Sequence, residues 1–382
     1  MLKSFEIQGF RTFSHLRIEN LGQVNLIVGK NNVGKTTLLE ALRLYAVGGS
    51  TDEIHAILRE RQELVTAAEA PWSVQPFSSL FYGWEPKPFE RNIASFGPVD
   101  QPNEQVSIRL APLEILEESS GATSYEEIRD ENLIRHPETD WEPGIIVEFR
   151  RESVLRVPLP ALMRRWFRRP QPPSIRPPFI PAVGVSSAEA LLWWDKVSLQ
   201  PGEQDIYRCL EAFNPPIERI AAIGQSDSPG GRVFQAKIPT APRPVPLHSQ
   251  GHGVVRMFHI ALAAAQINGS EEYITSRTPF SERTETGVLP LLLIDEFENG
   301  VYHGVLDKLW QSIFDFAARK NLQVFATTHS DDCVKAFLKV SGEDQGIDGR
   351  LIRLEAKGGL NRAVLADESS FPTILDAGIE VR

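Results

Sequence analysis

Residues 24–37 read Val24-Asn25-Leu26-Ile27-Val28-Gly29-Lys30-Asn31-Asn32-Val33-Gly34-Lys35-Thr36-Thr37. A short strand-like run meets a glycine, and a second glycine precedes Lys-Thr-Thr and a helix-period stretch over residues 35–47. Strand, glycine-bounded loop and helix stand in the order a phosphate site requires. The two glycines let the backbone through Gly29, Asn31, Asn32 and Gly34 curl so that its N–H groups point inward at phosphate oxygens. The helix start adds the positive end of its dipole. Lys35 would then reach β- and γ-phosphates, and Thr36, followed by Thr37, would hold Mg²⁺. A chance glycine-rich turn is the alternative, and it accounts for neither flanking element.

Upstream, residues 2–7 and 15–19 read as two short strands. Downstream, from residue 48 to about 246, the pattern is irregular. It has strand-like pieces at 105–110 and 144–155, an acidic segment at 117–132, a Pro- and Arg-rich tract at 159–181 and a helical stretch at 186–210. Regular α/β character returns with a helix after Gly253, an apolar strand ending at Asp295, a helix over 301–320 and a strand ending beside His329. The expected organisation is an α/β core in two parts, 1–84 and 245–382, split by an inserted arm over 85–244. No heptad pattern is sustained long enough for a coiled coil.

Leu291-Leu292-Leu293-Ile294-Asp295 is a continuous apolar run ending in a carboxylate, as in a central parallel strand that delivers Asp295 to Mg²⁺. Glu296 follows and is placed to take a proton from, or orient, the water that attacks a γ-phosphate. Two acids capping a turn would look the same in isolation, and the phosphate loop upstream favours the metal reading. Glu298 and Asn299 fit a solvated loop almost as well. His329, at the C-terminal edge of the next strand, lies where ligands bind in such sheets and is the candidate sensor of γ-phosphate and water.

With 42% hydrophobic and 24% charged residues the chain has the composition of a folded soluble protein. Its net charge of −10 would repel a polyanion, so nucleic acid could be met only through a local basic patch. Cys209 and Cys333 are the 2 cysteines and have no metal-ligand spacing. The N-terminus has no apolar signal region and no run is long enough for a membrane span, so the cytoplasm is expected and no membrane partner.

Taken together, these residues resemble the ABC-type ATPase heads of the SMC, RecF and OLD (overcoming lysogenisation defect) proteins. The opening LKSFEIQGFRTF is similar to their first strand and turn, the loop at 29–37 to their Walker A, IDEFEN at 294–299 to Walker B and ATTHS at 326–330 to the H-loop. Leu247-His248-Ser249-Gln250-Gly251-His252-Gly253 is similar to the ABC signature, although a glycine-containing N-cap explains the same letters. The resemblance implies a P-loop NTPase fold with an ABC-type head, one lobe carrying a mixed sheet and the other a parallel sheet. It also implies ATP as substrate, with Arg11 and Phe13 beside the nucleotide and Glu296, His329 and Lys35 in the catalytic group. It further implies a homodimer, alone or within a higher assembly, in which Ser249, Gly251 and Gly253 touch ATP held by the partner copy.

The signature departs from LSGGQ, and the glutamine loop has no firm position, Gln75 being a weak candidate. The residues after His329 are too few for the Toprim nuclease domain of OLD proteins, so a separate effector or nuclease protein is expected. Phage defence, a RecF-like DNA clamp and a non-hydrolysing scaffold for a toxin or nuclease all fit that pattern. Arg150, Arg151, Arg156, Arg164, Arg165, Arg168, Arg169 and Arg176, interleaved with Trp166 and Phe167, form a basic tract. It fits a solvated helix face, a protein contact or nucleic-acid binding through Arg164, Arg165, Arg168 and Arg169.

Overall fold

The computed structural model of the protein describes residues 1–64, 75–84, 93–117, 123–129, 136, 140–149, 153–168, 177–211, 213–224, 231–267, 272–276, 284–343, 346–358, 360–366 and 370. It opens with an antiparallel hairpin, β1 (Phe5–Phe10) and β2 (Phe13–Ile18), followed by β3 (Val24–Val28), the phosphate-loop residues and α1 (Lys35–Ala46). After α2 (Thr51–Glu60) and the single turn α3 (Gln75–Ser78), β4 (Ile93–Gly97) returns to pair antiparallel with β1. β5 (Val106–Glu117) continues that sheet and carries the short β6 (Thr123–Glu127). β7 (Trp141–Phe149) and β8 (Ser153–Pro158) complete it in the order β2-β1-β4-β5-β7-β8. Every pairing in this sheet is antiparallel.

The first half of the stretch expected as an inserted arm therefore builds most of the N-terminal sheet. A strand's partner is chosen by contacts with distant residues, and its own alternation does not name it. The run at 144–155, expected as one strand, contributes to two antiparallel strands, β7 and β8. α4 (Leu159–Arg168) holds part of the basic tract. The helical stretch at 186–210 is two helices, α5 (Ser187–Val197) and α6 (Gly202–Leu210), separated at Leu199, whose φ is 64°, and Pro201.

The second sheet contains β3 and the short β9 (Phe179–Ile180). A small antiparallel sheet of β10 (Arg219–Gly224), β11 (Arg232–Lys237) and β12 (Val245–Pro246) leads into α7 (His252–Ala265). The hairpin β13 (Glu272–Ser276) and β14 (Thr284–Val288) precedes β15 (Leu291–Ile294), α8 (Leu306–Lys320), β16 (Gln323–Thr327), α9 (Asp331–Ser341), β17 (Gly349–Lys357) and β18 (Leu360–Ala366). The second sheet runs β18-β17-β3-β16-β15-β9, parallel throughout except for β18. The carboxyl ends of β3, β15 and β16 thus lie side by side, where open parallel sheets bind ligands.

Strand periodicity divides two cores. Leu292, Ile294, Val324 and Ala326 point into one, against Met257 and Phe258 of α7 and Trp310 and Phe314 of α8. Leu291, Leu293, Phe325 and Ile27 point into the other, against Leu38, Leu39 and Leu42 of α1 and the first sheet's Phe10 and Phe96. Each fully buried leucine contributes about 2 kcal/mol. α8 buries Leu306, Leu309, Trp310, Ile313, Phe314 and Ala317 along one stripe, as helical spacing requires, and ends at Asn321 in the left-handed conformation. Among the described residues no helix is long and apolar enough to cross a membrane.

Candidate active site

The phosphate loop is held from outside by close packing at both glycines. Gly29 has φ 144° and a Cβ there would lie 2.5 Å from the Leu354 carbonyl oxygen of β17; Gly34 has φ 104° and its Cβ would lie 2.4 Å from the ring of Phe13. Phe13, fully buried, therefore supports the loop from beneath. Asn361 of β18 donates to Val33 O at 3.1 Å and pins the loop from the opposite edge. Among the described residues no side chain caps α1, so its first N–H groups stay available to an anion, and Lys30, Asn31 and Asn32 are exposed above them. The Lys35 ammonium donates to Gly29 O at 2.7 Å and Lys30 O at 3.0 Å. Burial lowers its pKa, against the raising influence of Asp295, Glu296 and Glu298.

Asp295, 8% exposed, faces this loop from the end of β15. Thr36 Oγ1 donates to Asp295 Oδ2 at 3.0 Å, and Thr327 Oγ1 donates to Asp295 Oδ1 at 2.6 Å. The same Thr327 oxygen accepts the N–H of Glu296 at 2.9 Å. Glu296 itself has φ 51°, in the left-handed region that a residue with a Cβ occupies at a cost. His329 Nε2 lies 4.0 Å from Glu296 Oε1, and Ser330 caps α9 by accepting from the Cys333 N–H, which fixes where His329 leaves its strand. A hydroxyl and a carboxylate meeting beside a phosphate cradle are the hard oxygen donors Mg²⁺ prefers.

Glu298 and Asn299, which a solvated loop fits almost as well from sequence, have defined partners. Glu298 Oε1 accepts the His329 N–H at 2.8 Å, and Asn299 Nδ2 donates to Ala182 O, just beyond β9, at 2.7 Å. Thr327 and Arg256 were missed. Thr327 is a fully buried hydroxyl at the end of an apolar strand, and Arg256 is the one cation in the apolar run VVRMFHIALAAA; both are exceptions to burial preference that point to a polar task.

The signature-like residues lie at the uncapped N-terminus of α7. Ser249 Oγ donates to Pro246 O at 2.6 Å, and Gly251 has φ 96° with no atom of the described residues within 4 Å of a Cβ built on it. A Cβ on Gly253 would lie 2.8 Å from Gly300 O, so the helix start rests on the turn that follows Glu296. Arg11 is buried with its guanidinium on Glu40 (2.7 Å) and Glu63 (2.9 Å); those carboxylates are its partners. Gln75 begins α3, and its side chain lies outside the described residues, as do the side chains of Arg164, Arg165 and Arg168 and the whole of Arg169. The strand end next to Asp295 carries Pro181 and Ala182, which bring no side-chain oxygen.

A glycine-bounded loop between strand and helix, an acidic strand end and a histidine at the neighbouring strand define a P-loop ATPase with an ABC-type head. An AAA ATPase domain model matches residues 1–66, and a second AAA domain model, whose description names a Type IV TA system, matches residues 236–332. The chain is similar to an ATP/GTP phosphatase of Helicobacter pylori, 23% identical over 360 residues, 90% of this chain and 89% of that protein. A RecF DNA replication and repair protein of Clostridioides difficile is 43% identical over 49 residues, 13% of each chain. Among solved structures, an SMC head bound to the C-terminal winged-helix domain of ScpA superposes with a TM-score of 0.50 at 12% identity, covering 98% of this chain and 99% of that one. The protein is an ATPase whose fold is that of the SMC heads.

Proposed function

We propose that two copies of the protein close head to tail around ATP, and that the closed state controls an effector protein or a DNA transaction in the cytoplasm, phage defence being one such setting. One observation carries this reading. Gly251 is a glycine in a left-handed conformation whose Cβ position meets open space, at an exposed helix start with unused N–H groups. Among the described residues nothing requires that opening, whereas a phosphate presented by another copy would use it.

In this mechanism Lys35 and the loop N–H groups hold the β- and γ-phosphates, while Thr36 and Asp295 hold Mg²⁺, which when bound offsets phosphate charge. Glu296 accepts the proton of the attacking water, and His329, whose Nε2 stands 4.0 Å from Glu296 Oε1, serves as the sensor of γ-phosphate and water. Similarity to an ATP/GTP phosphatase over most of the chain favours turnover over a non-hydrolysing scaffold. The Type IV TA description favours a separate effector.

Light scattering of Glu296→Gln over a concentration series, with and without Mg²⁺-ATP, tests the reading. A mass that doubles only with ATP supports it, and an ATP-independent mass removes the sandwich. The stretch of similarity to RecF favours a second reading, a DNA clamp that uses Arg164, Arg165, Arg168 and Arg169. That reading requires DNA binding with a steep salt slope that charge reversal at those positions flattens.

A further inference from the structure

Arg256 lies one helical turn beyond the exposed start of α7 and is 5% exposed. Its Nη1 donates to Pro181 O, and its Nη2 donates to Asp295 O and, at 3.0 Å, to Glu296 O. Those last two carbonyls belong to the peptide units on either side of Glu296. On the opposite side the Glu296 N–H is taken by Thr327. Both peptide planes that set the left-handed φ of Glu296 are therefore anchored, one group of contacts coming from α7 and the other from β16.

We infer that Arg256 is a positioning residue for Glu296, holding the proton acceptor in its left-handed conformation and tying it to the helix whose start faces outward at Gly251. The argument is energetic as well as geometric. Arg256 forms no ion pair among the described residues, and its guanidinium is buried. A buried guanidinium whose two Nη groups go to backbone carbonyls while its Nε has no partner among the described residues is costly unless the backbone conformation it fixes matters. Lysine cannot reproduce the arrangement, because a single ammonium lacks the planar fork that reaches three carbonyls at once. Contact at Ser249 to Gly253 would then reach Glu296 through one turn of helix, and the Gly253 approach to Gly300 gives the same two elements a second seam.

The inference rests on Glu296 being the proton acceptor proposed above, and the experiment separates the two. Steady-state ATP hydrolysis and binding of a fluorescent ATP analogue are measured for the parent, Arg256→Lys, Arg256→Gln, Glu296→Gln and the double variant Arg256→Lys/Glu296→Gln. The expected result is a folded Arg256→Lys protein with unchanged nucleotide affinity and kcat lowered about 10²-fold, the size of effect that slight misplacement produces. The double variant should be no slower than Glu296→Gln alone, since Arg256 acts through Glu296. Unchanged kcat in Arg256→Lys, an equal further slowing on top of Glu296→Gln, or loss of the fold in both Arg256 variants would each overturn the assignment while leaving the proposed chemistry standing. Glu296→Gln turning over at the parent rate would overturn both.

Discussion

Thr36 donates to Asp295 at 3.0 Å across 259 positions of sequence, so the phosphate loop and the acidic strand are joined directly. This contact holds two oxygen donors at one point, with Thr327 fixing the other carboxylate oxygen. Asp295→Asn keeps the shape and removes the charge. Hydrolysis is expected to fall about 10²-fold, with a higher Mg²⁺ concentration needed for half-maximal rate, in a steady-state assay titrated with Mg²⁺.

Glu298 reaches His329 through the backbone N–H at 2.8 Å. Glu298→Ala leaves that N–H without its acceptor and frees the strand end that carries the imidazole. A roughly tenfold loss of kcat is expected, with Glu298→Gln, which keeps an oxygen acceptor, recovering most of it.

Asn361 touches the loop from β18 through Val33 O. Removing one neutral hydrogen bond is worth about 1 kcal/mol, so Asn361→Ala should weaken nucleotide binding roughly fivefold in calorimetric titration and leave kcat unchanged.

Arg11 and Glu40 are both nearly inaccessible, and burial raises the Glu40 pKa while Arg11 and Arg61 oppose the shift. Arg11→Met removes one of the two cations on the buried Glu40 carboxylate and leaves Arg61 alone to offset its charge. Stability in urea should drop by roughly 3–5 kcal/mol, and Arg11→Met/Glu40→Leu should restore part of it; a nucleotide role for Arg11 would instead be seen as weaker ATP binding in protein of parental stability.

His259 is buried in α7, and burial lowers its pKa to about 4. The unfolded chain therefore takes up this proton first as pH falls, near its ordinary value of about 6.5. Stability from this group is complete above that pH and declines toward pH 4, a loss of about 2 kcal/mol by pH 5. His259→Leu should flatten that part of the pH profile in urea unfolding.

The motif residues were legible because their chemistry is local. Val24–Val28, Gly29, Gly34 and Lys35 announce strand, turn and helix within a few positions, and the structure places β3 and the start of α1 where those letters predict. Asp295 was legible because an apolar strand ending in an acid is rare without a reason. What escaped was pairing between distant segments. Nothing in residues 93–97 names β1 as their partner, and the Gly9 carbon that would clash with Ile93 O only has meaning once the two strands lie together. Arg256 and Thr327 escaped for the same reason, since their partners are backbone atoms on other elements. The expected placement of Arg11 beside the nucleotide came from resemblance alone, and its carboxylate partners, Glu40 and Glu63, lie far from it in sequence.

Every residue of α1 except Thr36 is buried, and the helix touches β4 of one sheet and β15 and β16 of the other. Even its charged members are tied down, Arg43 to Glu53 and Glu60 of α2, and Glu40 to Arg11 and Arg61. Such a rod has no free flank on which to roll or slide. The phosphate loop is thereby continuous with a helix wedged between both sheets, so α1 serves the molecule as a keystone, locking the site to two lobes at once.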